Sequence, residues 1–269
     1  TAALRLRARL RLQRGDSAGA TDDLVTVLRV SRHAGEPAIL IGWLVQLTMR
    51  RQVMSLAADN LPKFTDAALA RLAETLRTLP PDHTLPELIR SEKRLCGDWM
   101  NRQAQQSLRR HESAEQAAWY QDIEKVADRS VFQHASMEQT VQAISLLPQD
   151  YDELTRLMAT PDPESRPALH AFMERAHAGQ TASPLSATLL PEFEFIGTKG
   201  SECRAVQAML LAAIDARLLH GGAEALAQSR DPYNDDAPFA VRAVEGGLEL
   251  QSKLTVAKTG QPVTLRCAW

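Results

Sequence analysis

Several things are missing from this chain, and each absence removes a class of protein. Only three cysteines occur in 269 residues, Cys96, Cys203 and Cys267. An odd and sparse count excludes a dense disulfide framework. No run reaches the ~18 apolar residues that a membrane-crossing helix needs. Positive charge is not in excess: 31 Lys and Arg stand against 33 Asp and Glu, for a formal charge of -2. The chain as a whole therefore has no bulk attraction to nucleic acid or anionic lipid. The patterns HExxH, CxxC, GxGxxG, GxxxxGKS/T and GxSxG are all absent, so no common metalloprotease, redox, dinucleotide, nucleotide-phosphate or serine-hydrolase site is indicated. What remains is a chain with 44% hydrophobic and 24% charged residues, ordinary for a folded domain and long enough for one large or two smaller ones.

The strongest positive signal is a change of period. As far as about Leu219 the chain reads as helices and their connections. Beyond it the segments FAVRAV, LELQSKLTVA and PVTLRCAW alternate as strands, parted by Gly246-Gly247 and by the KTGQ turn. The fold class is thus mainly α, α+β overall: a helical bundle with a TPR-like hairpin, followed by a helix and a small three-stranded antiparallel sheet. Two domains are expected, 1–180 and 192–269, divided by the linker-like GQTASPLSATLLP at 179–191, which has room for a short helix at 187–190.

Residues 3–14 and 18–33 form the helical hairpin, broken at Gly15-Asp16, with Asp16 or Ser17 capping the second helix. Its small residues Ala8, Ala18 and Ala20 let the helices approach, and it resembles a single tetratricopeptide-type unit rather than an array. Residues 37–60 make the most hydrophobic helix, with Pro37 in its first turn and Trp43 in the core. Residues 65–79 follow, capped by Thr65 and seamed by Leu69, Leu72 and Leu76. The helix from 84 opens on a Thr84/Glu87 capping box and runs to 110 with a very polar second half. Further helices are expected at 134–147, 148–158, 164–178 and 200–219, the last covering the sheet. A bulge near Ser252-Lys253 is needed to keep Leu248, Leu250, Leu254 and Val256 on one face.

Few residues invite chemistry. Arg5, Arg7, Arg9, Arg11 and Arg14 crowd the first fourteen residues; a local phosphate or headgroup contact is the sharper reading and a solvated helix face the plainer. Cys203 and Cys267 can either bridge the last helix to the last strand or pack as separate thiols, and Cys96 reads as packed. His170, Glu174 and His177 share one helical face at a spacing that suits a zinc trio, while a wet polar face near a linker is the plainer reading. Arg110, His111, Glu112, Glu115 and Asp98 offer acid, base and cation on one polar helix. The acidic turn DPYNDDAP is sharper: Asp231, Asn234, Asp235 and Asp236 present oxygens that calcium would accept, without EF-hand spacing or its Gly. The plainer reading is a set of Asx and Pro turns. No cofactor is expected apart from that calcium.

Two resemblances follow. The segment DPYNDDAPFAVRAVEGGLELQS, through Asp231, Pro232, Tyr233, Pro238 and Phe239, resembles the loop and small sheet of a type II secretion pseudopilin, over roughly residues 195–269. The prepilin cleavage site and the long apolar half of the helix are absent. The layout also resembles a group of uncharacterised bacterial envelope proteins, through Arg11, Leu12, Gly15, Asp16, Gly19, Ala20, Asp22 or Asp23 and Leu24. The resemblance implies a periplasmic or envelope location, with any membrane association carried upstream of Thr1; the cytoplasm is the alternative. The expected function is a non-enzymatic scaffold or protein-interaction module with a protein partner and no nucleic acid. A metal-assisted hydrolase and a small-ligand or lipid-binding helical protein, using the apolar 37–60 helix as a cavity wall, are the alternatives.

Overall fold

The structure is a computed structural model of the chain and describes residues 2–110, 137–226, 228–235 and 237–269. Its helices, in chain order, are α1 (Ala2–Gln13), α2 (Ser17–Gly35), α3 (Leu40–Asp59), α4 (Asp66–Arg77), α5 (Leu85–Glu92), α6 (Asp98–Arg110), α7 (Met137–Leu157), α8 (Arg166–His177), α9 (Ser186–Leu189), α10 (Phe193–Leu218) and α11 (Gly222–Leu226). Strands β1 (Ala240–Val244), β2 (Gly247–Thr255) and β3 (Pro262–Ala268) form one antiparallel sheet in that order. None of the described helices is long and apolar enough to cross a membrane. The chain is mainly helical with a small C-terminal sheet, as the change of period indicates.

The sequence divides by composition near 179–191; the compact units divide by contact, and differently. One comprises residues 1–37, 41–82 and 198–269, the other residues 38–40 and 83–197. The N-terminal hairpin thus belongs with the C-terminal sheet, a pairing that local periodicity does not carry.

In the first unit α1 and α2 close on Ala8 and Ala20, both fully buried, so the two backbones meet with no bulky side chain between them. Asp16 caps α2 by accepting the Gly19 amide at 2.9 Å. Thr65 caps α4 and is itself held by the Ser17 hydroxyl, which accepts the Thr65 amide at 3.0 Å. The buried side chains of α3 include Leu47, Val53, Met54, Ala57 and Ala58 together with Trp43, which is in the core as expected. The helix starts at Leu40 rather than Pro37 because Ala38 adopts a positive φ of 50°. From α10, Val206, Met209, Leu210, Ala213 and Ile214 are buried. A truncation such as Leu72→Ala in this core costs about 2–5 kcal/mol.

The sheet's register sets its two faces. Val241, Leu250 and Leu265 lie in one row, and Ala243, Leu248 and Cys267 in the next, on the apolar face. On the opposite face Arg242, Glu249 and Arg266 are directly opposed. Glu249 accepts from Arg242 at 2.6 Å, Arg266 at 3.0 Å and Gln251 at 2.9 Å, and the two arginine stems leave it only 4% exposed. The β2–β3 register shifts between Gln251 and Thr255, where the bulge is expected. Where the helix at 200–219 is the expected cover, the structure places the 3-10 turn Leu61–Lys63, whose Leu61 is fully buried, alongside β3.

In the second unit, Leu88, Ile89, Ile144, Leu147, Tyr151, Leu154 and Phe172 form the core. Three expectations are corrected here. Residues 134–147 and 148–158 are not two helices: α7 runs unbroken through Pro148. A proline inside a helix forfeits its own amide bond and crowds the preceding turn, a cost that buried neighbours such as Leu147 and Tyr151 outweigh. The helix beginning at 84 is interrupted by a π-helical stretch at Lys93–Gly97. That stretch turns its residues off the helical face, so Cys96 is exposed, not packed, beside exposed Leu95 and Trp99. The final long helix begins at Phe193, earlier than residue 200, with Phe193 fully buried.

Two outcomes check the sheet. A Cβ on Gly247 would lie 2.0 Å from the Cys267 carbonyl oxygen, inside the β2–β3 ladder. Gly247→Ala should cost about 3 kcal/mol in urea unfolding, more than Gly246→Ala at about 1 kcal/mol, although Gly246 has the positive φ of 74° and nothing near it. The hydrogen bonds from Arg266, Gln251 and Arg242 hold the Glu249 carboxyl down at about 2. Its folded value lies below its unfolded one, so its contribution is complete above the ordinary carboxylate range and is lost as pH falls toward 2. Unfolding free energy measured against pH should show this acid loss, and Glu249→Gln should flatten it.

Candidate functional site

The arginines of α1 fall on two stripes because a helix advances 100° per residue. Arg7 and Arg11 face α2. Arg7 grips Asp23 through Nε at 3.0 Å and Nη2 at 2.6 Å, and Arg11 reaches the same carboxylate at 3.0 Å and the Gly19 carbonyl at 2.7 Å. Asp23 is only 2% exposed, so this pair is structural. Arg5 and Arg9 lie on the other stripe and face a groove of about 680 Å³ in the first unit.

The far side of that groove is the polar stripe of α3: Thr48, Arg51, Gln52, Ser55, Leu56 and Asp59. Asn60 and Lys63, from the 3-10 turn, complete it. Arg5 donates to the Gln52 side-chain oxygen, yet its Nε is buried without a partner among the described residues. Arg9 is exposed and makes no ion pair or side-chain hydrogen bond among the described residues. Lys63 donates to Asn60 at 3.0 Å, a bond that leaves its charge uncompensated. Arg51 lies 3.9 Å from Glu202, whose closer partner is Lys199 at 3.0 Å. Four cations thus border the groove with one carboxylate, Asp59. The lining carries hydroxyl and amide donors and a single aliphatic side chain, Leu56, which suits anionic and polar groups rather than an acyl chain. The arginine cluster was visible in the sequence; its division into a structural and a groove-facing pair needed the position of α3.

Behind this stripe, α3 carries a buried polar set. Arg50, 6% exposed, donates to both oxygens of Asp82 at 2.6 Å and to Gln207 at 2.5 Å, and Gln46 donates to Asp82 at 2.7 Å. Nη1 and Nη2 of Arg50 are thus spent inside the fold while its Nε is buried without a partner among the described residues, and its neighbour Arg51 faces the groove.

The acidic turn is built as a turn. Asp231 is 1% exposed, and its carboxylate accepts the Tyr233 amide at 3.0 Å, the Ser252 hydroxyl at 2.9 Å and the Lys253 amide at 2.7 Å. These are the groups that the β2 bulge withdraws from the ladder, so the turn and the bulge complete each other. Asn234 and Asp235 remain on the outer side, Asp235 exposed with a φ of 47°; Asp236 lies outside the described residues. A calcium ion here would have to be held by the outer oxygens, since both oxygens of Asp231 are engaged. Among the described residues no three His, Cys, Asp or Glu side chains gather with metal-ligand spacing. Tyr233 and Phe239 also have defined roles: Tyr233 accepts from Arg204 at 3.1 Å and Phe239 is 4% exposed.

The remaining candidates do not converge. His170 faces carboxylates with both ring nitrogens, Glu194 at 3.0 Å and Glu174 at 3.5 Å, and the Glu194 hydrogen bond raises its pKa. Both of its ring nitrogens thus face carboxylates rather than one common point with His177. His177 turns to Glu192 at 3.6 Å instead of to the Glu174 it was grouped with. His111, Glu112 and Glu115 lie outside the described residues. Cys203 and Cys267 are both buried free thiols, and burial raises both, Cys267 to about 12, which keeps them unreactive. Comparison with protein families, curated proteins and solved structures finds no match for this chain.

Asp231→Ala strips acceptors from the buried Ser252 hydroxyl and from the Lys253 amide. It should cost about 2–4 kcal/mol in urea unfolding, whereas Ser252→Ala should cost about 1 kcal/mol. Equal losses would show that the carboxylate does not organise the bulge.

Proposed function

We propose that the protein is a non-enzymatic interaction module that contacts a protein partner through the α1/α3 groove of its first unit. One observation carries the reading: an open groove of about 680 Å³ bordered by four cations, of which Arg9 has no partner among the described residues and Arg51 only a 3.9 Å contact with Glu202. Arg7 and Arg11 meet the buried Asp23 and Arg50 meets the half-buried Asp82, while Arg5, Arg9, Arg51 and Lys63 face the groove. Charge left over beside donors on rigid helices serves recognition better than it serves stability, because exposed ion pairs contribute little to folding.

The α1–α2 hairpin, TPR-like in sequence, supplies one wall. The likeness of Asp231, Pro232, Tyr233, Pro238 and Phe239 to the pseudopilin loop supports an envelope or periplasmic setting. It bears on location and not on fibre assembly.

A photo-crosslinking side chain placed at Ser55, in the groove, is compared with one at Thr26, on the exposed face of α2. In the native host Ser55 should capture a discrete protein partner that Thr26 does not, and Leu56→Arg should abolish the capture. Equal capture at both positions, or none at Ser55, would overturn the reading.

A further inference from the structure

We infer that the occupant of the groove is a short acidic peptide segment of the partner, held by carboxylates on Arg5, Arg9 and Arg51; this rests on the interaction-module reading above. Three observations lead to it. The first is shape. The α3 side of the groove extends from Thr48 to Asp59, about 16 Å along the helix axis at the usual rise. An extended chain of about five residues spans that length. A lone phosphate would need its cations gathered round one point, whereas these are distributed between two helices and a turn.

The second is charge. Arg5 and Arg9 stand one helical turn apart on α1, and Arg51 projects from α3. Arg9 has no partner among the described residues, and the buried Nε of Arg5 has none either. Arg9, exposed and unpaired among the described residues, is the guanidinium that an incoming carboxylate can reach directly. The third is the lining between the cations. The Ser55 hydroxyl and the Gln52 amide nitrogen offer donors to a peptide backbone, a need that a compact inorganic anion lacks, while Thr48 and Asn60 donate back to α3, to the Leu44 carbonyl at 2.8 Å and the Leu56 carbonyl at 2.9 Å. Asp59 marks the groove's end beside Asn60 and Lys63 and repels a further carboxylate there. The recognised segment therefore carries its acids over the Arg5, Arg9 and Arg51 portion and a neutral or basic residue at the Asp59 end.

The probe is a fluorescein-labelled peptide of about five residues built from glutamate and serine with a C-terminal lysine, followed by anisotropy on the whole chain. Its glutamine-for-glutamate analogue should bind at least about tenfold more weakly, and Arg9→Glu should weaken the acidic peptide about tenfold while melting with the wild type. Arg51→Gln should give a smaller loss, and raising salt from roughly 0.05 to 0.3 M should weaken binding several-fold. Asp59→Asn should admit a peptide ending in glutamate that the wild type discriminates against. Equal affinity for the glutamate and glutamine peptides, indifference to Arg9→Glu, or tighter binding of an oligothymidylate than of the acidic peptide would overturn the inference. If Ser55 still captures a partner in that case, the interaction reading stands and only the acidic occupant falls. If Ser55 captures nothing, both fall.

Discussion

A carboxylate wholly or partly withdrawn from water must be met by donors, and five in this fold are met by donors from elsewhere in the chain. Asp23 receives Arg7 and Arg11, and Asp82 receives Arg50 and Gln46. Asp150, 1% exposed, receives the amides of Ala182 and Ser183 at 2.9 Å and the Ser186 hydroxyl. Asp231 receives the β2 bulge, and Glu249 receives an arginine from each neighbouring strand. Each arrangement joins segments that apolar packing alone would leave free to slide. Losing one partner strands a buried charge, which is why such pairs specify register even where their net stabilisation is small.

The same accounting of charge isolates the candidate site. On α1, a two-residue step turns the side chain through about 200°, so alternate arginines point to opposite sides. Arg7 and Arg11 are committed to Asp23; Arg5 and Arg9, one step out of phase, cannot reach it and face α3 instead. On α3, Arg50 and Arg51 divide in the same way between the Asp82 cluster and the groove. The groove's positive character thus follows from helical phase and from where the fold has placed its acids.

Local signals were legible in the sequence. The caps at Asp16, Thr65 and Thr84 act where the residue types indicate, and the last three strands pair as alternation suggests, with a register shift beside Ser252-Lys253. Signals that depend on distant partners were not. Pro148 reads as a break because its lost hydrogen bond is local, while the packing that keeps α7 whole is tertiary. Cys96 reads as packed because a π-helical stretch leaves no mark on hydrophobic spacing. Asp231 reads as a turn former or an ion ligand beside Asn234 and Asp235, since only the folded sheet shows which groups its two oxygens meet. The groove itself joins residues 5 and 9 to residues 48–63, a separation that no local pattern spans.

The central claim is that α1 carries two functionally distinct sets of arginines. Side-chain Nε–Hε correlation spectra of arginine, recorded while an acidic peptide is titrated in, test it most directly. Resonances of Arg5 and Arg9 should move with the peptide, while those of Arg7 and Arg11 stay fixed on Asp23. Movement of Arg7 and Arg11 together with Arg5 and Arg9, or movement of none of the four, would contradict the account.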